Sequence, residues 1–269
     1  MQINGEGAQT PRVFAIANQK GGVGKTTTAI NLATALAACG KRLLLIDIDP
    51  QGNATTGLGV AREAIAHDSY DVLVDGVAMA DAIMATQVPQ LSLVPGGVDL
   101  AGAELVLAGA LAREFRLRNA LAPVAGGFDF VLVDCPPSLN LLTVNALAAS
   151  AAVLVPLQCE YYALEGLSQL MTTIDLVKRN LNAGLEIQGV VLTMYDRRNN
   201  LCDMVAADVR KHFGAKVYET MIPRNIRLSE APSHGKPALL YDLRCAGSQA
   251  YIHLAGEVLR REQPAGVSA

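Results

Sequence analysis

Gln19-Lys20-Gly21-Gly22-Val23-Gly24-Lys25-Thr26-Thr27-Thr28 follows a short apolar run, Val13-Phe14-Ala15-Ile16-Ala17, and opens an apolar-periodic segment that ends near Ala38. That order reads as a strand, a glycine-rich turn and a helix. Glycines let the backbone curl with successive N–H groups turned inward, and the first helical turn adds unpaired N–H groups and the positive end of the helix dipole. A polyphosphate fits such a nest. Lys25 is placed to meet the outer phosphates, and Thr26 to offer its hydroxyl to a magnesium ion.

The neighbouring segments supply matching parts. Gly40 ends the helix, and Arg42 to Asp47 reads as a buried parallel strand that finishes in acid. While the backbone stays extended, Asp47 and Asp49 face the same side at the strand's C-terminal end, the edge where open α/β sheets bind ligands. Residues 51–59 are small, polar and glycine-rich, as suits a loop that rearranges around a γ-phosphate. Phe128-Asp129-Phe130-Val131-Leu132-Val133-Asp134 is a second buried strand ending in a carboxylate. With Lys25 and Thr26 upstream, Asp134 is positioned to hold magnesium directly or through water.

Between these motifs, residues 60–90 read as short helices and Leu91 to Pro95 as a strand. Leu100 to Leu121 reads as one helical segment whose Arg113 and Arg116 share a solvated face. Further strands are expected at Val153 to Pro156 and Ile187 to Met194, with a helix between them reaching about Arg179. Strands alternating with helices imply an α/β fold with a doubly wound, mostly parallel sheet.

Of the 269 residues, 51% are hydrophobic and 17% charged, enough to bury a large core and too apolar for a disordered chain. The longest apolar stretch, Ala146 to Leu157, is interrupted by Ser150 and Pro156 and falls short of the roughly 20 residues a bilayer requires. Residues 1–10 lack a basic start and an apolar stretch, so a cytoplasmic location is expected. Cys39, Cys135, Cys159, Cys202 and Cys245 are scattered, which suits buried free thiols in a reducing compartment. The four histidines show no zinc-ligand spacing. Net charge is −3, yet residues 1–177 hold 9 Lys and Arg against 16 Asp and Glu, whereas residues 178–269 hold 13 against 9. The last third is basic, a hint of a polyanionic partner.

The glycine loop departs from the strict phosphate-loop pattern, because Gln19 stands where a glycine belongs and a second lysine, Lys20, precedes Lys25 by five residues. Lys20-Gly21-Gly22-Val23-Gly24-Lys25-Thr26-Thr27 resembles the deviant Walker A ATPases. Asp47-Ile48-Asp49-Pro50-Gln51-Gly52-Asn53 resembles the second motif of the ParA partition ATPases. Residues 192–201 and 222–237 are similar to the chromosomal ParA subgroup, also called Soj. The likeness runs from about Arg12 to about Leu259.

The resemblance implies an ATPase that takes ATP and Mg2+ and forms a nucleotide-sandwich homodimer in the ATP state, with Lys20 reaching the partner's phosphates. It implies that Asp49 orients the attacking water, that Met194 and Pro223 flank the adenine and Asn225 helps read it, and that Arg198 and Arg227 touch DNA phosphates. Non-specific double-stranded DNA of the nucleoid and a ParB-type centromere-binding protein are the implied partners. Asp47 is a weaker candidate for a place near the metal. No internal arginine finger is apparent, so slow intrinsic turnover is expected, open to acceleration by a partner. Lys20 lies too early for the long extension that bears a helix-turn-helix in some relatives, so sequence-specific operator binding is not expected. The expected layout is a flexible residues 1–11, one ATPase domain over 12–262 and a flexible 263–269.

Two other readings use the same loop. A MinD-like membrane ATPase needs a basic amphipathic C-terminal helix, which Tyr251 to Arg261 supplies poorly, so no membrane partner is expected. A metabolic enzyme of the superfamily, an ATP-dependent ligase or an iron–sulfur reductase, would answer to a metabolite or a cluster.

Overall fold

The computed structural model describes residues 10–160 and 163–263. Most of the two terminal segments expected to be flexible, 1–11 and 263–269, lies outside the described residues.

Five-residue strands without an interior polar residue can be buried on both faces, and they form the middle of one sheet. The strands are β1 (Arg12–Ile16), β2 (Leu43–Asp47), β3 (Met84–Ala85), β4 (Leu91–Val94), β5 (Phe130–Asp134), β6 (Ala152–Gln158) and β7 (Glu186–Thr193). Their order is β3-β4-β2-β5-β1-β6-β7, and every pairing is parallel except that of β3 with β4. The doubly wound expectation therefore holds, with the antiparallel edge strand β3 as an addition. Two residues give too short a pattern to register as a strand in the sequence. β6 continues through Pro156, beyond the last β1 pairing, Ile16 with Leu154, so its missing N–H breaks no rung of that ladder, and its carbonyl accepts from the Asn18 side chain at 2.8 Å.

The helices are α1 (Lys25–Ala38), α2 (Asn53–Gly57), α3 (Met79–Ala82), α4 (Leu100–Leu107), α5 (Arg116–Leu121) and α6 (Leu141–Ala149). They continue with α7 (Ala163–Asn180), α8 (Asn200–Phe213), α9 (Ile226–Glu230), α10 (Ala238–Tyr241) and α11 (Ala246–Glu262). The single helix expected over Leu100 to Leu121 is in fact broken between α4 and α5, where Ala112 takes a positive φ of 52°. The periodicity there continued across a turn that local apolar spacing does not reveal.

Side chains from both faces of the sheet are buried. On one face α1 and α11 cover Phe14, Ile16, Leu43 and Leu45, and Tyr251, Leu254 and Val258 of α11 seat against α1. The other face packs Val13, Ala15, Leu44 and Val131 against Leu142 of α6 and Leu170 of α7. At about 1.5–3 kcal/mol for each fully buried large aliphatic side chain, these layers fix the strand ends on which the site is built. Cys135, Cys159 and Cys202 are buried as expected, whereas Cys39, just past the end of α1, is exposed.

Parallel register aligns the C-terminal strand ends. Ile16 of β1 and Asp47 of β2 both pair with Asp134 of β5. The glycine loop leaves β1 at this edge, with β5 on one side and β6 on the other, the crevice where ligands bind in open sheets.

Candidate functional site

The loop between β1 and α1 needs left-handed backbone at two points. Gly22 has φ 75° and Gly24, the N-cap of α1, φ 86°, values that a side chain would strain. The loop is anchored from beside as well: Asn18 Oδ1 accepts from Lys20 N at 3.1 Å, and the Thr193 hydroxyl donates to Val23 O at 2.8 Å. Gly21 to Thr27 thus run from a fixed turn into the first turn of α1, whose leading N–H groups have no side-chain cap.

Lys25 is only 6% exposed, and its Nζ donates to the Lys20 carbonyl at 2.9 Å. Burial holds its ammonium below the usual lysine value, while Asp134, Cys135 and Asp49 pull it back up. Asp134 is fully buried, and both its oxygens lack a hydrogen-bond partner in the protein. Burial first and then the adjacent Asp47 carboxylate push Asp134 well above the usual range, opposed by the Thr26 hydroxyl facing it and by Lys25. Thr26 stands close enough to lower that value without closing a hydrogen bond of good geometry. An orphaned buried carboxylate opposite a hydroxyl is the donor set a hard divalent cation takes, so the residues present fit magnesium.

Asp47 lies beside Asp134 at the strand ends, and its oxygens are bonded within the chain. Its Oδ2 accepts from Thr55 N at 2.9 Å and from the Thr55 hydroxyl at 2.8 Å, and its Oδ1 from Asp49 N at 3.2 Å. The Thr55 hydroxyl in turn accepts from Gly96 N at 2.9 Å. Burial raises Asp47 to about 6, with the Thr55 bonds opposing. Its oxygens tie the loop that follows β2. Asp49, 6% exposed, keeps one oxygen on Gln51 N at 3.0 Å and stands on the Lys25 side of the site. Thr55 escaped the sequence reading because a threonine in a small polar loop resembles any other.

Lys20 lies at the mouth, its side chain 40% exposed, in an ion pair with Glu160. Glu160 was not singled out in the sequence, since it becomes a neighbour only when β6 lies beside β1.

Thr27, Met194, Pro223 and Asn225 line one cleft of about 440 Å3 together with Gly24, Thr193, Ile222 and Tyr251. Met194 holds φ 50°, an uncommon value outside glycine. It is fixed there because Tyr195 N donates to Ile222 O and Arg224 N to Tyr195 O. Asn225 Oδ1 caps α9 through Arg227 N at 2.9 Å, which leaves its amide N–H groups as the donors facing the cleft.

The two arginines expected at DNA do not share a groove. Arg198 pairs with Asp196 at 2.8 Å and lines an open groove of about 850 Å3 with Arg197, Arg224 and His253. Arg227 is on α9, paired with Glu230 at 2.8 Å and Asp242 at 3.5 Å. The topology brings Arg224 and His253 to that groove from separate segments.

A family model described as an AAA domain matches residues 11–187. The chain is 62% identical over 254 residues to the chromosome partitioning protein ParA of Caulobacter vibrioides, spanning 94% of this chain and 95% of that protein. It is 56% identical over 247 residues to the sporulation initiation inhibitor protein Soj of Bacillus subtilis, spanning 92% and 98%. Among solved structures, cobyrinic acid a,c-diamide synthase from Mycobacterium smegmatis with bound ADP and magnesium matches with a TM-score of 0.82 at 38% identity, over 93% of this chain and 94% of that one.

Proposed function

We propose that this chain, which belongs to the ParA/Soj family of chromosome-partitioning ATPases, uses ATP to assemble a homodimer that grips DNA without regard to sequence. It is an ATPase, and ATP and magnesium are its cofactors. Hydrolysis then releases the DNA, and a ParB-type partner accelerates that step. The nucleoid in the cytoplasm is the site of action.

The chain's own residues divide the work. The N–H groups of Gly21 to Thr27 and the Lys25 ammonium hold the phosphates, and the Asp134 carboxylate with the Thr26 hydroxyl supplies the metal donors. Magnesium, when bound, neutralises charge on the phosphate oxygens. Asp49 orients water, held in place by the bonds that fix residues 47–55. Met194 and Pro223 flank the adenine, and the Asn225 amide reads its edge. Phosphoryl transfer demands mainly position and positive charge, which this set provides.

Lys20 is the observation that carries the reading. Lys25 already serves the protein's own phosphate loop from inside, while Lys20 stands at the rim on the partly buried Glu160, from which it can turn outward to a second nucleotide. The apolar face of α11 also favours this reading over a membrane-bound one, because Tyr251, Leu254 and Val258 are buried against α1. Among the described residues no helix is long and apolar enough to cross a membrane. Identity near 60% to partition proteins, against 38% to the diamide synthase, favours DNA as the partner over a small acid as a substrate. Fluorescence-anisotropy titration of labelled duplex DNA with protein in ADP and in an ATP analogue tests the proposal. Tighter binding with the analogue is expected, and equal affinity in both rejects it.

A further inference from the structure

The loop that follows Asp49 is tied at both ends. At its start Gln51 N and Gly52 N bond to Asp49, and Thr55 bonds to Asp47. At its far end Gly59, with φ 79°, lies directly on Gly235, with φ 61°. A Cβ on Gly235 would stand 2.8 Å from Gly59 Cα, and one on Gly59 would stand 2.6 Å from Gly235 O. Two backbones therefore touch without a side chain between them. The Gln87 side-chain amide spans the contact, donating to Leu58 O at 2.9 Å and to Gly235 O. Both acceptors are carbonyls, so the orientation of that amide is fixed.

From Gly235 the contacts continue to Arg227. His234 stacks on Tyr241 with ring centroids 4.9 Å apart, and the Tyr241 hydroxyl reaches Glu230 Oε2 at 3.4 Å. Glu230 is the carboxylate that holds Arg227, whose guanidinium also lies 6.0 Å from the Tyr241 ring. A rigid backbone contact passes on a displacement that a flexible side chain would absorb. We propose that Gln87, with Gly59 and Gly235 in contact beside it, is the positioning residue through which the nucleotide-facing loop sets Arg227 for DNA.

The proposal rests on the reading of Arg227 as a DNA contact under ATP control. The test measures duplex-DNA affinity by anisotropy for wild type, Gln87→Ala and Gly235→Ala, each with ADP and with ATP analogue. Light scattering for the dimer and a thermal melt accompany it. The ratio of the two affinities is expected to fall by about tenfold in both variants, a size usual for coupling between sites. The analogue-dependent dimer of Gln87→Ala is expected to stay as in wild type, and its melt to fall by only a few degrees, the cost of the two amide hydrogen bonds. Because linkage is reciprocal, the enhancement of analogue affinity by DNA should shrink by the same factor. Gln87→Ala introduces no backbone strain and so stands in should Gly235→Ala misfold. An unchanged ratio in Gln87→Ala, or a ratio lost only together with the dimer, overturns the joint. A wild-type ratio of one instead defeats the underlying reading of ATP-controlled DNA binding, and the joint with it.

Discussion

Lys20 forms an ion pair with Glu160, the residue two positions beyond the end of β6. The carbonyl oxygen of the same lysine accepts from Lys25 Nζ, so the loop's two lysines are coupled through one residue's backbone while their ammonium groups face different ways. The outer ammonium must leave Glu160 to reach a second protomer's nucleotide. A partly exposed ion pair is worth about 1 kcal/mol or less and each of the two protomers breaks one, so Glu160→Gln is expected to tighten the analogue-dependent dimer by up to about thirtyfold. Lys20→Ala should keep nucleotide binding and lose both dimer and turnover. Size-exclusion light scattering with and without analogue measures both, and a normal dimer in Lys20→Ala would remove the role assigned to it.

Asp134 gives a stability prediction of opposite sign to most active-site changes. Its carboxylate is buried without a partner and resists ionisation, so Asp134→Asn removes the cost of keeping an ionisable acid there and is expected to raise the melting temperature of the ligand-free protein at pH 7 by about 2–4 °C. The same variant should lose the melting shift produced by magnesium and ADP. The pH dependence follows from the raised value in the folded protein. Above the ordinary carboxylate value, about 3.9, the folded state binds the proton more tightly than the unfolded chain, so wild-type stability falls as pH rises. The gain from Asn is therefore largest near neutrality and shrinks as pH drops toward 4. Calorimetric scans across that range decide it, and a lowered melting temperature at pH 7 would count against an unpaired carboxylate.

Arg198 and Arg227 each sit on a carboxylate that competes with DNA phosphate. Four arginine contacts in a dimer predict a slope of log affinity against log salt of about −3.6, and Arg227→Ala should bring it to about −1.8. Asp196→Asn removes the competing anion from Arg198, and tighter DNA binding with an undiminished slope is expected. Salt-dependent anisotropy reads all three proteins.

Leu254 of α11 is fully buried against the face that α1 covers. Leu254→Ala should cost about 2–5 kcal/mol in chemical denaturation. Since α1 begins at Lys25, weaker nucleotide affinity is expected as well. Tyr251→Phe loses one hydroxyl contact, 3.1 Å from Thr28 Oγ1, and should cost about 1 kcal/mol. A larger effect from Tyr251→Phe than from Leu254→Ala would show that the hydrogen bond, rather than packing, seats α11.

Much of the site was legible before folding because its parts are contiguous. A strand, two left-handed glycines, a lysine and the first turn of a helix occupy residues 12–28, so their geometry follows from local backbone preference. The acid-ended strands were equally plain, since continuous apolar runs have few other places to go. The break at Ala112 and the two-residue β3 were not, because neither leaves a pattern longer than a turn. The roles of Asp47 and Asp49 diverged for a reason that strand alternation cannot express. Thr55, eight residues on, takes up the first carboxylate and leaves the second near Lys25.

By itself the amino-acid order determined the α/β class, the phosphate loop and the carboxylates at the strand ends, since each is written in a short segment whose conformation is set by neighbours in the chain. Only the tertiary structure decided that Glu160 restrains Lys20, that Thr55 claims Asp47, that Arg198 lines a groove Arg227 does not share, and that Gly59 rests on Gly235. Those pairs come from strands and loops far apart in sequence, and only the parallel register of the sheet and the packing of its two layers bring their atoms within reach.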